Sequence, residues 1–179
     1  MLKNMPGKDK SEHSQGNIGK GMFFLAWAAG LGLLTLLFDD QLARQFNPNP
    51  QPLSRQAQGI TEVKLQQNRS GHYVASGLIN SQPVVFLLDT GATEVSVPFA
   101  LAGELNLLPG RTAWVQTANG RVQVAQTTIE HLQIGGIALH NVRAHLNYAT
   151  GSSEILLGMS ALKQLEFTQQ KDILILRSL

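Results

Sequence analysis

Asp89 is the residue of this chain best placed for acid–base chemistry. It directly follows the apolar run Val84-Val85-Phe86-Leu87-Leu88 and precedes Thr90, Gly91 and Ala92. A continuous apolar run of that length reads as a strand buried on both faces. An acid at its end is expected to be partly desolvated, which costs free energy unless the carboxylate is hydrogen-bonded. Gly91 lets the backbone turn tightly beside the carboxylate and offers it a donor, and Thr90 adds a hydroxyl. A simple turn aspartate is the plainer reading of the same four residues, and the surrounding elements have to decide between the two.

Other chemistry is poorly supported. The chain has no cysteine, which excludes a disulfide scaffold, a thiolate zinc site and a thiol nucleophile. His131, His140 and His145 are the candidate metal ligands. His140 and His145 are five apart on a predicted strand and so face opposite sides, and ordinary surface or hydrogen-bonded histidines are expected. Gly135-Gly136 lacks the pattern of a phosphate loop. Glu94 is expected to be solvated, and Trp114 either lines a groove or packs on the sheet. No metal and no cofactor is expected. Residues 1–58 hold six basic and four acidic side chains, and residues 59–179 hold eight of each. The net charge of +2 therefore lies in the N-terminal third of the 179 residues, and a broad basic surface for nucleic acid is excluded.

The elements around Asp89 read as strands. Period-2 alternation with turn punctuation runs through residues 60–179. Ile60, Val63 and Leu65 mark a first strand, and residues 68–71 a turn. Residues 72–79 form a second strand, with a turn over 80–83, and residues 84–88 a third. Residues 98–107 are predicted as a short helix. Residues 111–125 form a hairpin about Asn119-Gly120, the strongest two-residue turn signal. That turn sets Val115 and Thr117 on one face with Val122 and Val124, and Trp114, Gln116, Arg121 and Gln123 on the other. Residues 129–146 form a second hairpin about Gly135-Gly136. Residues 155–157 are a second buried run, 159–165 a second short helix, and 173–176 a final strand. The run FLLDTGA (86–92) and the run ILLGMSA (155–161), each followed by a predicted short helix, echo one another and suggest two similar halves.

The N-terminal third has a different composition. Residues 1–20 are polar and lysine-rich, without apolar periodicity, and read as a disordered tail. Residues 21–38 (GMFFLAWAAGLGLLTLLF) carry no charge. As a helix this run is roughly 27 Å long at about 1.5 Å per residue, close to a hydrocarbon core of about 30 Å. A cleaved signal peptide would have a shorter apolar region and a small-x-small site, whereas this run continues into DDQLA. A retained anchor is expected. Four lysines precede it and two aspartates follow, so the N-terminus stays in the cytoplasm and the rest is exported. In a bacterium with two membranes this is a single-pass inner-membrane protein with its globular part in the periplasm. Residues 39–59, rich in Pro and Gln, are expected to be a linker with a maximum reach of order 60 Å.

Taken together, VVFLLDTGATEVSVP, the Asn-Gly hairpin and ILLGMSAL, in that order, resemble the retropepsin-like aspartic proteases, in particular their membrane-anchored bacterial group. The resemblance covers about residues 60–179. It implies an all-β, closed acid-protease barrel with short helices, behind one N-terminal transmembrane helix. It implies that Asp89 is catalytic, that Thr90, Gly91 and Ala92 complete its loop, and that Thr90 interlocks two such loops. It implies that Ala118, Asn119, Gly120 and Arg121 form a flap over an extended polypeptide substrate, and that Leu157 and Gly158 thread the second half. The chemistry needs two carboxylates sharing a proton, one as base on a water and one as acid on the scissile carbonyl. The second half offers Leu157-Gly158 and no acid there, so a homodimer with two copies of Asp89 is required. One departure stands out. The viral members pair an arginine after that Gly with an acid after Asp-Thr-Gly-Ala, and these places hold Met159 and Thr93. The rival readings are a catalytically silent module of the same fold that binds a peptide or partner in the cell envelope, and a structural envelope component.

Overall fold

The computed structural model describes residues 15–117, 120–149 and 154–178. Two compact units divide at residue 42. The first is carried by α1 (Gln15–Phe46), whose described residues include a stretch with mean hydropathy 2.0 and none of it buried. It is long and apolar enough to cross a membrane. Its apolar side chains cover the whole circumference, the pattern of a helix with apolar surroundings on every side.

The second unit is a β domain. Its strands are β1 (Leu53–Ala57), β2 (Ile60–Gln66), β3 (Tyr73–Ile79), β4 (Gln82–Leu88), β5 (Val95–Pro98), β6 (Thr112–Thr117), β7 (Gly120–Ile134), β8 (Ile137–Asn147), β9 (Ile155–Leu157), β10 (Leu165–Gln170) and β11 (Ile173–Ser178), with one short helix, α2 (Met159–Leu162). Seven strands run in the order β3-β4-β9-β5-β8-β7-β6, and β3 also pairs with β7, which closes the sheet on itself. Four more form a second sheet, β1-β2-β11-β10. Phe86, Ile79, Ile129, Leu132, Leu146, Ile155 and Leu157 are buried inside, together with Leu65 and Leu176 from the second sheet. Alternation along much of β7 and β8 explains this packing, with Ile129, Leu132 and Ile134 of β7 and Ile137, Leu139, Val142, Ala144 and Leu146 of β8 turned into the core.

The Gly135-Gly136 hairpin follows the expected register, whereas the β6–β7 hairpin keeps the expected faces but not the Asn119-Gly120 loop, because Gly120 is itself the first paired residue of β7. Val115 lies opposite Val122 and Thr117 opposite Gly120. Ile134 lies opposite Ile137 across the Gly135-Gly136 turn. Three elements differ from expectation. The run 84–88 is buried on one face only: Phe86 is inside, while Val85 is 41 % exposed. Residues 98–107 form a 3-10 turn at Phe99–Leu101 and then irregular turns, because Gly103 and left-handed Asn106 (φ 53°) interrupt any longer helix. The second helix stops at Leu162, because β10 draws Leu165 into the smaller sheet, opposite Ser178 of β11.

Residues 39–59 are not free chain. The helix continues to Phe46, Asn47 Nδ2 donates to Ser76 Oγ (2.9 Å), and β1 pairs with β2. Asn49 is only 7 % exposed. Its Nδ2 donates to the carbonyls of Gln66 (2.9 Å) and Val74 (2.7 Å), and its Oδ1 accepts from the Gln66 N–H (2.7 Å). A buried amide must find such partners, and these fix residues 47–57 to the β domain.

Candidate active site

β4 and β9 run parallel, with Phe86, Leu87 and Leu88 beside Ile155, Leu156 and Leu157. Both strands end together, and their two exits form the site. The Asp89 N–H donates to the Leu157 carbonyl (3.1 Å), so the chain leaving β4 is pinned to the end of β9. Gly91 N–H then donates to Asp89 Oδ1 (2.8 Å), and Ala92 N–H to the Asp89 carbonyl (3.2 Å). Asp89 is half-buried, whereas Thr90 and Gly91 are exposed. The expected desolvation of Asp89 by a doubly buried strand is therefore weaker in one chain, because the outer face of β4 is open.

The second exit is built against the first. Met159 N–H donates to the Ala92 carbonyl (2.8 Å) and Ser160 N–H to that of Thr93 (3.0 Å). Gly158 is required by close approach, since a Cβ there would collide with the carbonyl oxygens of Glu94 and Ala92. The structure thus brings Asp89, Gly91, Ala92, Leu157 and Gly158 together. The places that hold Thr93 and Met159 instead of the viral ion pair are joined through backbone hydrogen bonds of their own loops.

Ser160 is a site-supporting residue that the sequence reading missed. It is 3 % exposed. Its Oγ accepts from Val95 N–H (3.0 Å) and donates to the Arg143 carbonyl (2.7 Å), tying the second exit to β5 and β8. Its signal in the sequence is faint: one small hydroxyl among Met159, Ala161 and Leu162.

Charge near the site is carried by Glu94 rather than by a buried pair. Glu94 lies 3.9 Å from Arg143 Nε and 3.9 Å from His145 Nδ1. Burial pushes the His145 pKa down from its usual value, and the Glu94 carboxylate partly opposes that. The three histidines do not converge. His145 faces Glu94, while His131 and His140 meet edge to face across β7 and β8, with ring centroids 4.1 Å apart.

The candidate flap is the β6–β7 hairpin. Ala118 and Asn119 lie outside the described residues. Gly120 takes a left-handed φ of 110°, and Thr117 Oγ1 donates to its carbonyl (2.8 Å). Arg121 stacks over Trp114 at 5.2 Å, so the outer face is an aromatic–cation pair and Trp114 remains exposed.

A closed β barrel in which two parallel strands present paired loops, one bearing Asp-Thr-Gly, defines the acid-protease class. The family model described as "gag-polyprotein putative aspartyl protease" matches residues 75–164, which span both loops and the hairpin. The chain belongs to this family of retropepsin-like aspartic proteases. It is similar to an uncharacterised protein from the cobV 5′ region of a Sinorhizobium species, with 31 % identity over 137 residues, 75 % of this chain and 59 % of that protein. It is also similar to an uncharacterised Rickettsia prowazekii protein, with 28 % identity over 122 residues, 65 % of this chain and 52 % of the relative. The chain thus spans little more than half the length of these relatives. Among solved structures it resembles a retropepsin-like aspartic protease from Rickettsia conorii, with a TM-score of 0.56 and 25 % identity, covering 72 % of this chain and 94 % of that one.

Proposed function

We propose that this chain is a membrane-tethered aspartic endopeptidase that works as a two-fold homodimer. The observation that carries the reading is Asp89 itself. It sits at the joint end of β4 and β9, oriented by Gly91 N–H at 2.8 Å, and each chain supplies one such carboxylate. A single aspartate acts as base or as acid, and peptide hydrolysis needs both at once. In the dimer, the two copies of Asp89 lie side by side and share a proton, because a second charge beside the first costs free energy and the two proton affinities separate. The ionised one takes a proton from water, and that water attacks the scissile carbonyl. The protonated one donates to the carbonyl oxygen as the tetrahedral centre forms.

The remaining residues have supporting roles. Thr90 of each chain interlocks the two loops, and Gly91 and Ala92 hold the backbone path. Leu157 and Gly158 form the floor on which the Asp89 loop rests. A polypeptide substrate lies extended beneath the hairpin tip formed by Ala118, Asn119, Gly120 and Arg121, paired through its backbone. Residues 21–38 cross the inner membrane with residues 1–20 in the cytoplasm, and the β domain faces the periplasm. Two copies anchored in one bilayer meet at a raised effective concentration, which favours the pair.

The test is cleavage of a diverse peptide library by the full chain in detergent micelles, read by mass spectrometry from acid to neutral pH. Asp89→Asn is run beside it. Cleavage by the natural sequence and none by the variant is expected. Equal cleavage by both, or none by a folded dimer, would overturn the reading.

A further inference from the structure

Residues 43–57 limit how far Asp89 can stand from the apolar run. Ala43 opens the β unit, five residues after Phe38 ends the uncharged run. Whatever path those residues take, they span at most about 18 Å. From Ala43 onward the chain has little slack. Asn47 N–H donates to the Ala43 carbonyl (2.9 Å), so the two are one helical turn apart, about 6 Å along the axis. The Phe46 carbonyl accepts from Asn68 Nδ2 (3.1 Å), and Gln45 Oε1 accepts from Arg69 Nη1 (3.3 Å). Those two bonds tie the turn to the residues between β2 and β3. Asn49 N–H donates to Asn47 Oδ1 (2.9 Å), and the Asn49 carbonyl accepts from Ser76 N–H (3.0 Å). Pro48, Pro50 and Pro52 each fix φ, which removes further freedom.

Strand register leads from there to Asp89. Asn49 bridges to Ala75 of β3, and Ala75 lies opposite Phe86 of β4. Two strand spacings of about 4.8 Å, and the run from Phe86 to Asp89 at about 3.3 Å per residue, put Asp89 roughly 14 Å from Asn49. The step from Asn47 to Asn49 adds at most about 7 Å. Chain connectivity therefore keeps Asp89 within roughly 45 Å of the end of the apolar run. An untied chain over residues 39–59 would span of order 60 Å before the domain began.

A site so close to a bilayer meets a restricted set of chains. A polypeptide anchored in the same bilayer keeps its first flexible residues in the same thin layer, since a coil of about 25 residues extends about 27 Å. Sharing that layer raises its effective concentration about 100-fold or more over a dissolved chain.

Resting on the membrane-tethered endopeptidase reading, we infer that the substrates are polypeptides anchored in the same bilayer, and that the bond cut lies in the stretch next to their own anchor. The tied residues 43–57 set this limit, because they add no flexible length between the anchor and Asp89.

The test places one cleavable library sequence twice in a single-pass substrate. The first copy lies about 25 flexible residues from the anchor, and the second lies beyond a helical spacer of about 60 residues, about 90 Å long. Both copies share one molecule, so the ratio of first cuts reads position. In vesicles holding the natural full chain, the near copy is expected to be cut about threefold or more faster than the far one. In detergent micelles, where no bilayer holds both anchors, the ratio should fall to about one. A flexible Gly-Ser insert of about 100 residues between Leu42 and Ala43 keeps every bond of residues 43–57 and should bring the vesicle ratio below about two. Equal cutting of both copies by the natural chain in vesicles would overturn the inference and leave the endopeptidase reading standing. So would a near preference that persists in micelles or survives the insert. A free peptide of the same sequence cut as fast as the near copy, at equal total concentration, would overturn it too. No cleavage of any library peptide would remove the endopeptidase reading, and the inference with it.

Discussion

Ser160 ties the second loop of the candidate site to β5 and β8 through one hydroxyl. Removing it leaves the Val95 N–H and the Arg143 carbonyl without that partner in a buried place. Ser160→Ala is therefore expected to destabilise the domain by about 1–3 kcal/mol, measured by urea denaturation. A shift below a few tenths of that would mean water replaces the hydroxyl. His145 gives a second prediction at this scale. Burial depresses its folded-state pKa, so below about 6.5 the unfolded chain takes up the proton first. Its contribution to stability is complete above that pH and is lost as pH falls towards the depressed value. The slope of stability against pH just below 6.5 should be shallower in His145→Gln than in the natural sequence. An unchanged slope would exclude His145 as a source of acid sensitivity. At this scale Asp89 and its neighbours were legible, because Asp-Thr-Gly-Ala and Leu-Leu-Gly are local strings. Ser160 was not, because its partners Val95 and Arg143 are distant in sequence and only the fold brings them to one hydroxyl.

At the scale of elements, strand pairing is readable where the turn chemistry is local and unreadable where the partner is remote. The Gly135-Gly136 turn sets its hairpin register and the structure keeps it, whereas the Asn-Gly signal gives the faces of the β6–β7 hairpin but misplaces the loop, since Gly120 pairs with Thr117. β5 is only four residues long and gains its place from β9 on one side and β8 on the other, neither visible from Val95–Pro98 alone. β10 was hidden for the same reason, since its residues also continue a helical pattern and β11 decides the matter. The stretch after α1 is the clearest case. Its prolines and glutamines read as a spacer, yet one buried amide, Asn49, stitches it to β2 and β3. Asn49→Ala should cost about 1–3 kcal/mol and speed proteolysis within residues 47–57, checked by limited digestion and mass spectrometry. If digestion there is unchanged, the segment is held by β1 pairing and the bonds of Ser76 to Asn47 and the Asn49 backbone, without need of the Asn49 amide.

For the whole molecule, the proposed homodimer makes activity a property of the pair, because each chain carries one Asp-Thr-Gly. Among the described residues no second acid stands opposite Asp89, since β9 ends at Leu157 and Gly158 follows it. In the proposed homodimer the exposed Thr90 meets the loop of the second copy. The most direct measurement mixes the natural chain with Asp89→Asn at constant total protein, exchanges subunits in detergent, and follows cleavage of one peptide against the mixing ratio. At equal amounts the shared dyad predicts about one quarter of full activity, because only dimers with two intact aspartates work. A linear decline to about one half would contradict it, since each chain would then be cleaving alone.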